Sequence, residues 1–210
     1  MRDVFEGLPE EKKQRIINVC VEEFALKGYE ISSTNSMVKK AGISKGALFS
    51  YFGNKKSLFL YLFDFSLERL MNSFDEAKDE APSDLFERCV WYSLLKMKIY
   101  LKEPLLSRLV VSSVTNMPRE LEKELQEKIE RVQGKYIPQL FDGLNTSNFK
   151  EGVDPQKVLE LITIFLDGLF DKYLKTYKHR PVEEIFNNME EVMKEYNEYI
   201  EMLKNGVYKS

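Results

Sequence analysis

Apolar residues recur along this chain at intervals of three and four, the period of helices that turn one face to a core. Pro9 before Glu10 and Glu11 suits a first helical turn. Ile16, Ile17, Cys20 and Phe24 then share a face until Gly28, a natural helix stop. Ser32 and Ser33 offer caps for a short second helix ending at Ala41-Gly42, and Ser44 for a third over residues 45–51. Gly53 breaks that helix, and Asn54 caps a long fourth over residues 55–78 with Leu58, Leu62, Phe65, Leu70 and Phe74. Its length and many apolar positions predict a strut touching both a head and a body. A fifth is predicted over 84–101, where Leu85, Phe86, Cys89, Val90, Leu94, Met97 and Leu101 keep helical spacing. A sixth follows over 104–115, then a seventh through Leu121, Leu125, Ile129 and Val132, which Gly134 and Pro138 are expected to kink or interrupt.

Residues 143–152 read as a polar loop, and Asp154-Pro155 opens an eighth helix. Its apolar residues run from Val158 through Leu161, Ile162, Phe165, Leu166, Leu169, Phe170 and Tyr173 to Leu174. They cover more than one stripe, which predicts burial on two sides. After a turn at His179-Arg180-Pro181, a ninth helix steps through Val182, Ile185, Met189, Val192, Tyr196, Tyr199 and Leu203. Phe186, Met193 and Ile200 run beside it at intervals of seven, the broad seam of a bundle helix. No strand pattern and no internal repeat is present, so the predicted class is all-α.

Charge changes this picture by its distribution. The 210 residues carry a net charge of -3, with 43% hydrophobic and 31% charged residues, which describes a globular chain. Residues 1–56 nonetheless hold ten Lys or Arg against seven Asp or Glu, a basic head on an acidic remainder. Cys20 and Cys89 lie inside apolar patterns with no pairing spacing and are expected as small core residues in a reducing compartment. The N-terminus has no apolar signal core, and no stretch reaches the ~18 apolar residues of a spanning helix. A cytoplasmic protein with no membrane association is the expectation. A single histidine, His179, rules out a histidine-based triad or histidine metal cluster, and no Gly-rich phosphate loop is present. The carboxylate pairs Glu183-Glu184 and Glu190-Glu191 read as solvated helix faces. No enzymatic activity, no metal and no cofactor are expected.

Residues 33–59 contain the densest signal. Between Ile31 and Phe63 there are five lysines and no acidic residue. Such lysines alone read equally well as a solvated face. Their order around a tight turn decides otherwise. Gly42 permits a sharp turn, and Met37, Val38, Ile43, Leu48 and Phe52 can hold two short helices together. Lys45, Gly46, Ala47, Phe49, Ser50 and Tyr51 are left for an outer face, where Ala47 can meet a thymine methyl and Lys45 a guanine or phosphate. Lys55 adds charge at the next helix N-terminus.

The run from Arg15 to Leu58, with Phe24, Gly28-Tyr29, Ala41-Gly42-Ile43-Ser44, Tyr51-Phe52 and Lys55, resembles the TetR (tetracycline repressor-like) family of bacterial regulators. Beyond Leu58 the resemblance is one of layout. It implies a three-helix helix-turn-helix head joined by a long helix to a larger helical bundle body, about nine helices in all. The corresponding domains are 1–53 for DNA binding and 54–210 for ligand binding and dimerisation. Asn35, Ser44, Lys45, Gly46, Ala47, Phe49, Ser50, Tyr51 and Lys55 fall where the family contacts a double-stranded operator. Ala47 stands where the family commonly has Thr or Ser, and Phe49 where it has Tyr. Losing both hydroxyls shifts reliance to Lys45, Ser50 and Tyr51.

The resemblance also implies an inducer cavity, for which Phe86, Cys89, Tyr92, Met97 and Phe165 supply an apolar or aromatic palette, although each suits ordinary core as well. The two C-terminal helices would pair in a homodimer, with Leu166, Phe170, Met189 and Tyr196 at the interface. The reading is a ligand-responsive repressor on a palindromic operator, released by a small apolar or aromatic effector. The competing reading is a helical adaptor without regulated DNA binding.

Overall fold

Hydroxyl and amide side chains stop and start the helices at the N-terminal end of this computed structural model, which describes residues 2–145, 147–177 and 189–209. Ten α-helices lie among the described residues: α1 (Arg2–Glu6), α2 (Glu10–Ile31), α3 (Thr34–Ala41), α4 (Lys45–Phe52), α5 (Lys55–Ala77), α6 (Leu85–Lys102), α7 (Pro104–Thr115), α8 (Glu122–Phe141), α9 (Pro155–Tyr177) and α10 (Met189–Val207). Short 3-10 turns at Lys78–Glu80 and Arg119–Leu121 sit beside them. The only extended pairing among the described residues is an isolated antiparallel bridge between Phe149 and Tyr208. The class is all-α, as the hydrophobic period predicts.

Three local expectations are amended. Gly28 does interrupt the helical backbone (φ 74°, ψ 173°), yet helix resumes to Ile31. The added turn carries Tyr29, whose ring meets Phe59 at 5.1 Å. Helix α8 runs through both Gly134 and Pro138, so neither interrupts it. Helix α1 lies in a segment too short to show a period. The first half of the ninth predicted helix, with Val182, Ile185 and Phe186, lies outside the described residues.

The chain packs as two compact units. The first comprises residues 1–76 and 102–135, the second 77–101 and 136–210. In the first, the core joins Ile16, Cys20 and Phe24 of α2 to Met37 of α3, Leu48 of α4, and Leu58, Phe59 and Leu62 of α5, all buried. Leu109 of α7 and Leu121 and Leu125 beyond it are fully buried as well. Almost all of α5 belongs to this unit.

The second unit has its own core, in which α6 supplies Leu85, Phe86 and Met97, α9 supplies Ile162 and Leu166, and α10 supplies Val192, Tyr196 and Ile200. Asp84 caps α6 by accepting from the Phe86 and Glu87 amides at 3.0 Å. Its other oxygen accepts from the Tyr208 hydroxyl at 2.6 Å, and that ring packs edge-on against Phe86. Burial, then the Asp84 carboxylate, pushes the Tyr208 hydroxyl well above the usual phenol range. Tyr208, just beyond α10, is thereby fastened to the N-terminus of α6. No described helix is long and apolar enough to cross a membrane.

Candidate nucleic-acid interface

Helices α3 and α4 are eight residues each, too short to stand alone, and their ends are closed by the residues between them. Ser33 Oγ accepts from the Ser36 amide at the start of α3. Gly42 takes the left-handed conformation (φ 66°, ψ 37°) at its end, its amide donating to the Val38 carbonyl. Ser44 Oγ then accepts from the Ala47 amide at 3.0 Å to start α4. The Gly53 amide closes α4 on the Phe49 carbonyl at 2.8 Å, and Asn54 Oδ1 accepts from Ser57 at 2.8 Å to start α5.

Below this turn, Glu23 of α2 is 2% exposed and binds three groups at once. It accepts from Lys27 at 2.7 Å, from the Ser33 amide at 3.1 Å and from the Ser36 hydroxyl at 3.1 Å. Burial alone would raise this carboxyl, but the three hydrogen bonds outweigh it and hold Glu23 below the usual carboxylate range. The entry to α3 is pinned to α2 by a buried charge.

Asn35, Ser44, Lys45, Gly46 and Ser50 are exposed, and Ala47 and Phe49 are half-buried. Lys45 Nζ lies 5.8 Å from the Phe49 ring centroid, so the missing Tyr hydroxyl leaves a ring that holds a cation. Two residues depart from the expected placement. Tyr51, expected on the outer face, is 8% exposed. Leu48, Tyr51 and Phe52 share the inward stripe of α4 at the three-four spacing, and Phe5 of α1 covers that stripe, 5.7 Å from Tyr51 and 4.7 Å from Phe52. Lys55 is half-buried, donating to the Glu30 carbonyl at 3.2 Å with its ammonium 4.9 Å from the Tyr29 ring. It closes the C-terminal end of α2.

The positive face is thus narrower than five lysines imply. Lys40 pairs with Glu22 at 3.1 Å and Lys56 with Glu124 at 2.6 Å. Of the five lysines, Lys39 and Lys45 are the two that no carboxylate or carbonyl of the described residues engages. One further pairing was not expected. The Tyr29 hydroxyl donates to Glu120 at 3.1 Å, and Lys56 donates to the Glu120 carbonyl at 2.9 Å. Burial, then the Glu120 carboxylate, pushes the Tyr29 hydroxyl up to about 12. The contacts span 91 and 64 residues of chain, so no local pattern announces them.

The candidate effector and pairing residues lie in the second unit. Phe86, Cys89 and Met97 belong to its closed core, with Phe165 packed against it; Tyr92 is half-buried with its ring edge-on to Trp91 at 4.9 Å. Burial pushes the Cys89 thiol up to about 12, and the Cys20 thiol likewise, so both are inert at neutral pH. Arg88 is buried, with donors directed to the Pro82 and Asp142 carbonyls. An open surface cleft of this unit is lined by Ile137, Pro138, Asp154, Pro155 and Gln156, none of them a candidate residue. Among the described residues, no cluster of His, Cys, Asp or Glu suits a metal ion.

Of the four expected pairing residues, the Phe170 and Met189 side chains lie outside the described ones. Leu166 and Tyr196 are 3% and 0% exposed within their own chain, so neither offers a surface to a second copy. The apolar residues these helices expose are others: Leu161 (51%) and Ile164 (72%) on α9, Tyr199 (37%) and Met202 (68%) on α10.

Two family models match this arrangement. Residues 16–62 match the model of bacterial regulatory proteins of the tetR family, and residues 83–208 match the tetracyclin repressor-like C-terminal domain. The chain belongs to the TetR family. Its helix-turn-helix is that of a DNA-binding transcriptional regulator. Among curated relatives, the fatty acid metabolism regulator protein of Bacillus subtilis (strain 168) is 25% identical over 205 residues, covering 94% of this chain and 96% of its own. A TetR family regulator from Chloroflexus aurantiacus J-10-FL shares the fold at a TM-score of 0.71 and 20% identity, over 99% of this chain and 98% of that one. The FadR regulator of Bacillus subtilis, solved with stearoyl-CoA, superposes at a TM-score of 0.61 and 18% identity, over 93% and 99%.

Proposed function

We propose that this TetR-family regulator is a cytoplasmic repressor that binds a two-fold operator as a homodimer and leaves it when a fatty acyl-CoA binds. Residues 1–53 read the DNA in this account, and residues 54–210 bind effector and pair the copies. The observation that carries the DNA reading is the doubly capped α3–α4 turn, which leaves Asn35, Ser44, Lys45, Gly46 and Ser50 exposed together. Small residues at the start of α4 let its backbone approach base edges, and the Ser44 cap holds that end in place.

Support for the effector class comes from the Bacillus subtilis relative, which matches nearly end to end, and from the stearoyl-CoA in the FadR structure. The largely apolar core of the second unit suits an acyl chain better than a polar metabolite. Control then follows from linkage: an acyl-CoA that favours a conformation with mis-spaced heads lowers DNA affinity, and DNA lowers acyl-CoA affinity by the same factor.

Selection of bound sequences from random duplex DNA tests this, followed by titration of the selected site with and without stearoyl-CoA. A palindromic site with half-sites about one helical turn, ~34–36 Å, apart, released by stearoyl-CoA and not by CoA, is the expected result. Unpaired half-sites, or binding indifferent to stearoyl-CoA, would overturn the corresponding part.

A further inference from the structure

The Tyr196 hydroxyl sits in an unusual environment. Its side chain is fully buried on α10, and its oxygen has no hydrogen-bond partner among the described residues. Its ring stacks on Tyr173 at 6.2 Å and 26°, within a cluster that includes Met97, Ile162, Leu166 and Leu169. A phenylalanine would fill that volume without the desolvation of an unpaired hydroxyl, so the oxygen weakens the core it occupies. Ser66 Oγ is the other such atom, but a serine on a helix is one torsion from its own helix's carbonyls; a phenol on a packed ring has no such freedom.

The surroundings define what the hydroxyl can do. Burial, then the Asp167 and Glu195 carboxylates, pushes it up to about 12, so it stays protonated and is available to donate. Those carboxylates are themselves engaged: Asp167 by Lys96 of α6, Glu195 by Lys172 and the Tyr173 hydroxyl of α9. The result is one buried donor among apolar side chains, while the two acids nearest it are held by lysines at the solvent-facing side. An apolar chain bearing one buried carbonyl oxygen fits this arrangement, and a thioester supplies that oxygen.

We propose that the Tyr196 hydroxyl donates a hydrogen bond to the thioester carbonyl of a bound fatty acyl-CoA, anchoring the acyl chain against α6, α9 and α10. This rests on the acyl-CoA reading above and names the residue that would discriminate for it. A site built around a donor rejects a ligand that leaves the donor unpaired.

The test uses the full-length protein, with the fluorescence of Trp91, its single tryptophan, reporting binding. Stearoyl-CoA is compared with S-octadecyl-CoA, the thioether of similar length that lacks the carbonyl. Tyr196→Phe is expected to weaken stearoyl-CoA about tenfold, ~1.4 kcal/mol, and to leave the thioether's affinity unchanged. Its thermal midpoint should equal or exceed the wild type's, and its operator affinity without ligand should not move. Equal loss for both ligands, or no loss for either, overturns the anchor while leaving the acyl-CoA effector standing. A wild-type protein that binds neither ligand overturns the effector class, and the anchor with it.

Discussion

Single side chains set the strength of the DNA face and the stability of the turn behind it. Lys45 is exposed at the first position of α4, and its cation lies by Phe49 where the family's commoner Tyr would place a hydroxyl. Lys45→Ala should weaken operator binding by about tenfold or more, reduce the dependence of log affinity on log salt by about one, and leave the oligomeric state untouched. Anisotropy titrations at several salt concentrations check this; unchanged affinity at matched salt would remove Lys45 from the interface. Glu23 works from below. Its folded pKa lies under its unfolded value, so its stabilisation is present above the ordinary carboxylate range, about 4.3, and is lost as pH falls through the folded value. Glu23→Gln should therefore cost about 1–3 kcal/mol at neutral pH, and the gap to wild type should close in acid. Urea melts at neutral pH and near pH 3 measure both.

At the scale of elements, the α3–α4 pair depends on one backbone conformation. Gly42 is left-handed, and a Cβ built there meets nothing within 4 Å. The loss on Gly42→Ala should therefore be conformational strain alone, about 1–2 kcal/mol, and Gly42→Asn should recover part of it. Equal stability of the alanine variant, read by thermal melts, would show that the turn relaxes. Helix α1 teaches a different lesson. Five residues cannot display a 3.6-residue period, so nothing local marks Phe5 as core. Yet its ring is fully buried against Phe52 and Tyr61, and its cover over α4 explains why Tyr51 turns inward.

At the scale of the whole molecule, the proposed homodimer needs an apolar face that a single copy leaves uncovered. Leu161 and Ile164 on α9, and Tyr199 and Met202 on α10, are each an exposed pair three residues apart, an apolar face on the two helices expected to pair. If that face joins two copies, Ile164→Lys should convert a dimer to a monomer by analytical ultracentrifugation and abolish palindrome binding, with the fold kept because the side chain is 72% exposed. A variant that still sediments as a dimer would place the interface elsewhere.

The chain's own residues determine its helices, its caps and the order of its turn motif, because period, N-cap hydroxyls and a left-handed glycine act within a few residues of themselves. Ser33, Gly42, Ser44 and Asn54 are legible for that reason, and so is the family. Tertiary structure decides which of two apolar faces meets the core. The broad stripes of α9 and α10 were ambiguous until packing put Leu166 and Tyr196 inside and left Ile164 and Met202 out. It also decides which lysines keep their charge for a partner, since Glu22, Glu124 and the Glu30 carbonyl are brought to Lys40, Lys56 and Lys55 only by the folded chain. A buried hydroxyl without a partner exists only once everything around it has been packed.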